Sequence, residues 1–180
     1  VYKRQVIDSL STLAFDYPRR SKFFKTQLEE FLLLSKEENF NPEEIKGSIA
    51  GAMGYGQFMP DSYRNYAVDF DQDGTRDILN NPVDAIGSVA NFLSKKGKWK
   101  PNTPIAIKAK ALNINGPIKS SFKPYMTSMD LKDMGLEISE KIPGNLKFVP
   151  ISLDLEEGHE YWLGFDNYNS ISRYNRSKLY

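Results

Sequence analysis

The chain contains no cysteine and a single histidine in 180 residues. Without cysteine there is no disulfide, no thiolate metal centre and no cysteine nucleophile. The compartment stays open, because an oxidising space does not demand cysteines. The lone His159 lies in a strand-like stretch with no partner pattern, and it reads as a surface strand residue rather than a ligand. No run of about 18 apolar residues occurs, so no segment reads as a membrane span. Neither sign of charge dominates: 24 basic residues face 23 acidic ones, a net charge of +1, which argues against a nucleic-acid partner. What is present is 40% hydrophobic and 13% aromatic residues, enough for a packed core, with a charge balance that suits a carbohydrate or other neutral polymer. The chain opens on VYKRQ without Met or a signal peptide, so the expectation is a fragment whose leader lies upstream.

The first half reads as helices. QVIDSLSTLAF repeats Val6, Leu10, Leu13 and Ala14 at helical spacing until Pro18 ends the run. A second helix is expected from about Arg20 to Glu38 with Phe24, Leu28, Phe31, Leu32 and Ser35 on one face. NFNPEEIKG predicts a short helix with Asn41 as N-cap, Pro42 at its first position and Gly47 as its stop. Glu43 and Glu44 then serve as first-turn acids. Another helix is expected near Gln57–Tyr66. PVDAIGSVANFLSKKG predicts a further one, with Val83, Ile86, Val89 and Leu93 as the buried stripe and Gly97 at its end. After KWKPNTP the composition shifts. IAIKAKAL alternates as a strand does, PYMTSMDLKDMGLEI reads as a short helix with a glycine stop, and LKFVPISLDL and HEYWLGF read as strands. The expected class is mainly α (α+β): a helical part over 1–98, a small mixed α/β part over 99–165, and a polar, aromatic return segment over 166–180.

Two stretches carry chemistry. GSIAGAMGYGQFMP, residues 47–60, surrounds one Gln and one Tyr with small side chains, so the backbone there can approach either a helix or a ligand closely. Met53 and Tyr55 suit the core as well as a site. DFDQDGTRD places Asp69, Asp71 and Asp73 at loop positions 1, 3 and 5, Gly74 at 6 and Thr75 at 7, the register of an EF-hand. Position 12 is Asn80 where an EF-hand has Glu. A loop lengthened to Asp84 could close the set, so Asp69, Asp71, Asp73, Thr75 and Asp84 are the candidate Ca²⁺ ligands of a loop at 69–84. The alternative is a solvated acidic turn with Asp84 acting as a helix N-terminal charge.

GSIAGAMGYGQFMPDSYRNYAVDFDQDG followed by NPVDAIGSVANFL closely resembles the lytic murein transglycosylase B family, and LSTLAFDYPRR and SISRYN fit it in the same order. The resemblance covers nearly the whole chain, more loosely over 99–160. VYKRQ does not resemble the family and is read as a translated cloning or sequencing adapter. The resemblance implies a lysozyme-like helical domain. It also implies cleavage of the β-1,4 bond between N-acetylmuramic acid and N-acetylglucosamine by the muramoyl C6 hydroxyl, leaving a 1,6-anhydro end. Because the substrate supplies the nucleophile, one carboxylic acid can act as acid and then as base, where a hydrolase needs two carboxylates. In the family that Glu stands in a Glu-Thr-x-Trp-Gly-like segment ahead of the helix matching VIDSLSTLAF. The expectation is therefore an internal fragment with no catalytic residue of its own, inactive alone.

By match to the family motifs, Ser48 and Gln57 are expected to line the cleft, Arg19 and Arg20 to meet lactyl or peptide carboxylates, and Tyr174, Asn175 and Tyr180 to lie over the catalytic centre. Phe92 stands where some relatives carry Tyr, either facing the groove or within the helix stripe. The partners implied are peptidoglycan glycan strands and other cell-wall enzymes, in a Gram-negative periplasm, with an outer-membrane lipid anchor on the intact protein. The main alternative is a non-catalytic, calcium-stabilised peptidoglycan-binding module; a calcium-stabilised domain that docks a cell-wall enzyme is a third reading.

Overall fold

A computed structural model describes residues 4–114, 116–119, 121–139, 142 and 145–177, without the Lys132 side chain. The chain divides into two compact units, Val1–Phe92 and Leu93–Tyr180.

The first unit is helical. β1 (Arg4–Gln5) leads into α1 (Val6–Phe15), a 3-10 turn (Pro18–Arg20) and α2 (Ser21–Glu37). β2 (Lys46–Gly47), α3 (Pro60–Tyr66) and α4 (Pro82–Lys95) follow. Pro18 begins the 3-10 turn that separates α1 from α2, and Ser21 Oγ donates back to the Ala14 carbonyl at 2.5 Å, closing the corner. Val6, Leu10, Phe24, Phe31, Leu34, Met53, Phe58 and Ile78 are buried in this unit.

Several local expectations give way to tertiary structure. Residues 42–44 form a turn rather than a helix, although Asn41 Oδ1 does accept the Glu43 N–H at 3.1 Å. The segment then pairs as β2 with β1, Arg4 opposite Gly47 and Gln5 opposite Lys46. Arg4 and Gln5 are thus part of the fold: Gln5 Nε2 donates to the Glu43 carbonyl at 2.7 Å and Val6 N to that of Ile45 at 2.9 Å. On α2, Leu32 is exposed and Gln27 buried, because Gln27 Oε1 accepts the Asp61 N–H at the start of α3. On α4 the N-terminal half of the expected stripe faces outward, with Val83 43% and Ile86 70% exposed, while Val89 and Leu93 are half-buried. The buried face is Asp84, Ala85, Gly87, Ser88 and Phe92. The reason is local. Ser88 Oγ accepts the Val68 N–H, Asp84 accepts that of Phe70, and a Cβ on Gly87 would lie 2.5 Å from the Phe70 ring. Satisfying the loop before α4 outweighs burying two aliphatic side chains.

The second unit is a four-stranded antiparallel sheet in the order β4-β3-β6-β5, from β3 (Ala106–Ala111), β4 (Leu136–Glu137), β5 (Val149–Asp154) and β6 (His159–Gly164). The expected short helix is α5 (Asp130–Asp133), and the return segment forms α6 (Asp166–Tyr174). Strand alternation gives the core: Ile107, Ala109, Tyr161 and Leu163 point to one face and pack with Leu136, Phe148 and Phe165. Trp162 stands on the other face, where its indole N–H donates to Glu160 Oε1 at 2.7 Å. His159 is half-buried beside the Asp154 carboxylate at 2.9 Å.

Candidate functional site

Residues 47–58 form a shelf with little regular structure, held by backbone pairs. Ser48 N donates to the Ala52 carbonyl at 2.8 Å, and Met53 and Phe58 exchange N–H···O bonds at 2.8 and 2.9 Å. The small residues are explained first by protein packing. A Cβ on Gly47 would lie 2.4 Å from the Ala52 oxygen, one on Gly51 would lie 2.5 Å from Leu10 Cδ2, and one on Gly54 would lie 2.3 Å from the Ile78 oxygen. Met53 is fully buried and Tyr55 is 65% exposed.

This close packing puts Gln57 at the turn of the shelf. It is exposed, and its backbone is left-handed at φ 48°, a conformation that costs a non-glycine residue about 1 kcal/mol or more. Its side chain reaches back to the Gly54 carbonyl, Nε2 to O 2.9 Å, which leaves Oε1 and one N–H facing out. A hollow of about 480 Å³ opens beside it, with Gln57, Tyr55, Lys46, Glu44 and Asn80 among its walls. The sequence does not single out Glu44, Lys46 and Asn80 as site residues; they reach the hollow from the turn before β2, from β2 itself and from the acidic loop, so no local spacing could reveal them.

The other candidates are placed as follows. Ser48 is half-buried and its Oγ accepts the N–H groups of Ala50 and Ala52 at 3.2 and 3.1 Å, so it shapes the shelf. Arg19 and Arg20 are exposed and line a second hollow of about 580 Å³ together with Lys22 and Asp61. The Arg20 guanidinium lies over Phe23 and Phe24, 4.4 and 5.1 Å from their ring centres, which limits where the cation can go. Phe92 is 5% exposed on the buried face of α4 and packs against Phe58 and Tyr66, ring centres 5.7 and 5.1 Å away. In the second unit, Tyr174 ends α6, half-buried, and Asn175 follows it, exposed. Tyr180 lies outside the described residues.

The acidic loop is built by carboxylates accepting backbone N–H groups. Asp69 takes those of Asp73 and Gly74 at 3.1 and 2.8 Å, and Asp73 takes that of Thr75 at 2.9 Å. Asp77 takes those of Leu79 and Asn80, both at 2.9 Å. Asp84 is fully buried, and its two oxygens take the N–H groups of Phe70 and Asp77 at 2.7 and 2.8 Å. Asp69, Asp71 and Asp84 bring one oxygen each within 4.8 Å of one another. Asp73 does not belong to that group of three. Three converging carboxylates form a hard, all-oxygen donor set, which fits Ca²⁺ better than a softer metal. The loop is tied to its surroundings at two points. The Tyr63 hydroxyl donates to the Arg76 carbonyl at 2.6 Å, and burial raises that phenol well above its ordinary pKa. The Tyr55 N–H donates to the Ile78 carbonyl at 3.1 Å, joining the loop to the shelf.

Residues 1–180 match the family model described as the transglycosylase SLT domain. The chain is 42% identical over 179 residues to the membrane-bound lytic murein transglycosylase B of Escherichia coli K12, covering 99% of this chain and 48% of that protein. The Escherichia coli lytic transglycosylase Slt35, solved with bulgecin A, superposes with a TM-score of 0.88 at 41% identity over 97% of this chain and 55% of its own. The same enzyme solved with calcium gives 0.85 over the same shares. SltB3 of Pseudomonas aeruginosa, solved with NAG-anhNAM-pentapeptide, gives 0.73 at 31% identity over 99% of this chain and 48% of its own. The chain thus spans about half the length of the relatives it matches.

Proposed function

Because the chain belongs to the transglycosylase SLT domain family and keeps its lysozyme-like fold, we propose that it holds peptidoglycan glycan strands for non-hydrolytic cleavage of the MurNAc-β-1,4-GlcNAc bond. The observation that carries the reading is Gln57, exposed at a strained turn beside an open hollow instead of packed away in the helices. Strain of this kind persists where the surroundings over-determine a conformation, often at binding sites. The outward amide of Gln57 offers a donor and an acceptor together, which suits the hydroxyl and acetamido groups of an amino sugar. Lys46 on the same hollow, and Arg19 and Arg20 on the second, offer cations to the lactyl and stem-peptide carboxylates. Tyr174 and Asn175 contribute a ring face for sugar C–H surfaces and a further amide.

The reaction follows from the substrate. As the bond to the leaving sugar oxygen breaks, one carboxylic acid donates a proton to that oxygen; the same group, now a carboxylate, takes the proton of the muramoyl C6 hydroxyl as it closes on C1. The relative crystallised with an anhydro-muramoyl pentapeptide supports that outcome. No residue of this chain is assigned the acid. Glu44 lies on the hollow but is exposed, and its Oε1 accepts from Asn41 Nδ2 at 3.1 Å at the turn before β2.

Asp69, Asp71 and Asp84 would hold Ca²⁺, with Asp73 and Thr75 completing the loop around it. The cation would supply charge compensation for carboxylates packed close together, and the calcium complex of Slt35 supports the assignment. The setting proposed is the periplasm, in contact with the cell wall. The test uses purified murein sacculi. The chain should sediment with them, and Gln57→Ala should reduce the bound fraction about tenfold, the loss of one to two well-placed hydrogen bonds. Mass spectrometry should find no soluble anhydromuropeptide released by the chain alone. Reducing-end, hydrolysed products would overturn the mechanism, and equal sedimentation of both forms would overturn the site.

A further inference from the structure

The second unit contains a fully buried amide with no part in the glycan-facing site. Asn167, the second residue of α6, has no solvent exposure. Its Oδ1 accepts the Lys100 N–H at 2.8 Å, and its Nδ2 donates to the carbonyls of Lys100 and Thr103, both at 2.8 Å. Both amide protons and one oxygen lone pair are therefore used, all on the backbone of one segment. The same segment is tied twice more. Lys100 Nζ meets Asp166 Oδ2 at 2.5 Å, and Arg173 Nη1, near the other end of the helix, donates to the Lys96 carbonyl at 2.8 Å. The Arg173 and Lys100 side chains are exposed, so the buried amide is the member of this set that water cannot replace.

Directional hydrogen bonds restrict the rotation of a helix more sharply than apolar contacts alone. Three of them from one side chain to fixed backbone groups fix it. Rotation matters at the far end of α6. A side-chain tip lies about 6 Å from a helix axis, so a turn of about 20° moves it by about 2 Å, while a binding group needs to be held within about 0.5 Å. Tyr174 and Asn175 stand at that end. We propose that Asn167 is a positioning residue: by locking α6 to residues 100–103 it sets the direction in which Tyr174 and Asn175 meet the glycan. The inference rests on the proposed glycan-binding role of Tyr174 and Asn175.

A double-mutant cycle on the 180-residue chain tests it. Binding of a soluble disaccharide-tetrapeptide with an anhydro-muramoyl end is measured by calorimetry well below each variant's unfolding temperature. The variants are Asn167→Ala, Asn167→Asp, Tyr174→Ala and Asn167→Ala/Tyr174→Ala. Asn167→Ala should weaken binding about tenfold, as Tyr174→Ala does, and the double variant should be no weaker than Tyr174→Ala, because one residue acts through the other. Asn167→Asp keeps the acceptor for the Lys100 N–H but sets a carboxylate oxygen against the Lys100 and Thr103 carbonyls, so it should bind no better than Asn167→Ala. A lower unfolding temperature with unchanged affinity in both Asn167 variants would leave a structural role only and overturn the proposal. Additive losses in the double variant would do the same. Tyr174→Ala binding as well as the unaltered chain would overturn the reading of Tyr174, and this inference with it.

Discussion

The glycine shelf and the acidic loop are both irregular segments of the first unit, yet they are held in opposite ways. The shelf, residues 47–58, is neutral at its turns and satisfied by its own backbone, the Ser48 hydroxyl and the Ile78 carbonyl, with glycines admitting Ala52, Leu10 and Ile78 to contact distance. The loop, residues 69–84, is satisfied by carboxylates bent back onto backbone N–H groups. The first arrangement depends on volume and backbone angle; the second depends on charge. The two meet at the bond from Tyr55 N to the Ile78 carbonyl. The turn that carries Gln57 therefore rests on a neutral element braced by one whose geometry suits a cation.

The sharpest way to break this comparison is to fill the shelf. Gly54→Ala combines a left-handed backbone, φ 68°, with a Cβ 2.3 Å from the Ile78 oxygen. It should cost about 3 kcal/mol or more in urea unfolding, with no dependence on calcium. A smaller effect is expected in the loop. Asp84→Ala strips two backbone N–H groups of their buried acceptor and should cost about 2–4 kcal/mol. Unlike the shelf variant it should also abolish any rise in unfolding temperature on adding calcium. Asp71 is exposed, and its carboxylate accepts from Asn81 Nδ2 at 2.8 Å on the open side of the loop. Asp71→Ala should thus leave unfolding without metal within about 0.5 kcal/mol while removing terbium luminescence from the loop. Equal luminescence from both forms would remove the metal site. A gain in stability instead of a loss is expected at Gln57→Gly. Relief of the left-handed residue, about 1–2 kcal/mol, is partly offset by the added freedom of the unfolded chain, about 0.5–1 kcal/mol, so the net gain should be no more than about 1.5 kcal/mol while sacculus binding falls.

Much of the fold is legible in local patterning. The Pro18 break between two helices, the strand alternations of 106–111, 149–154 and 159–164 and the glycine stop after α5 all stand where residue spacing and turn chemistry place them. Patterning misleads where a loop outbids it. Val83, Ile86 and Val89 have perfect helical spacing, but α4 turns Asp84, Gly87 and Ser88 inward, because Phe70 and the N–H groups of Val68, Phe70 and Asp77 need what those residues provide. Likewise NFNPEEIKG carries every sign of a helix start, yet pairing of Lys46 and Gly47 with Arg4 and Gln5 takes the chain away before a second turn can form. At the candidate site, motif and spacing bring out Gln57 and the aspartates. They cannot bring out Glu44, Lys46 and Asn80, which join the hollow only through tertiary structure.

The central claim is that Gln57 meets the glycan directly. Side-chain amide NMR of the ¹⁵N-labelled chain, titrated with a soluble anhydromuropeptide, tests it with least intervening assumption. The account predicts that the Gln57 side-chain resonances, identified by their loss in Gln57→Ala, move saturably with a dissociation constant that this variant raises about tenfold. Saturable binding that leaves those resonances in place, with the same dissociation constant in both proteins, would contradict it.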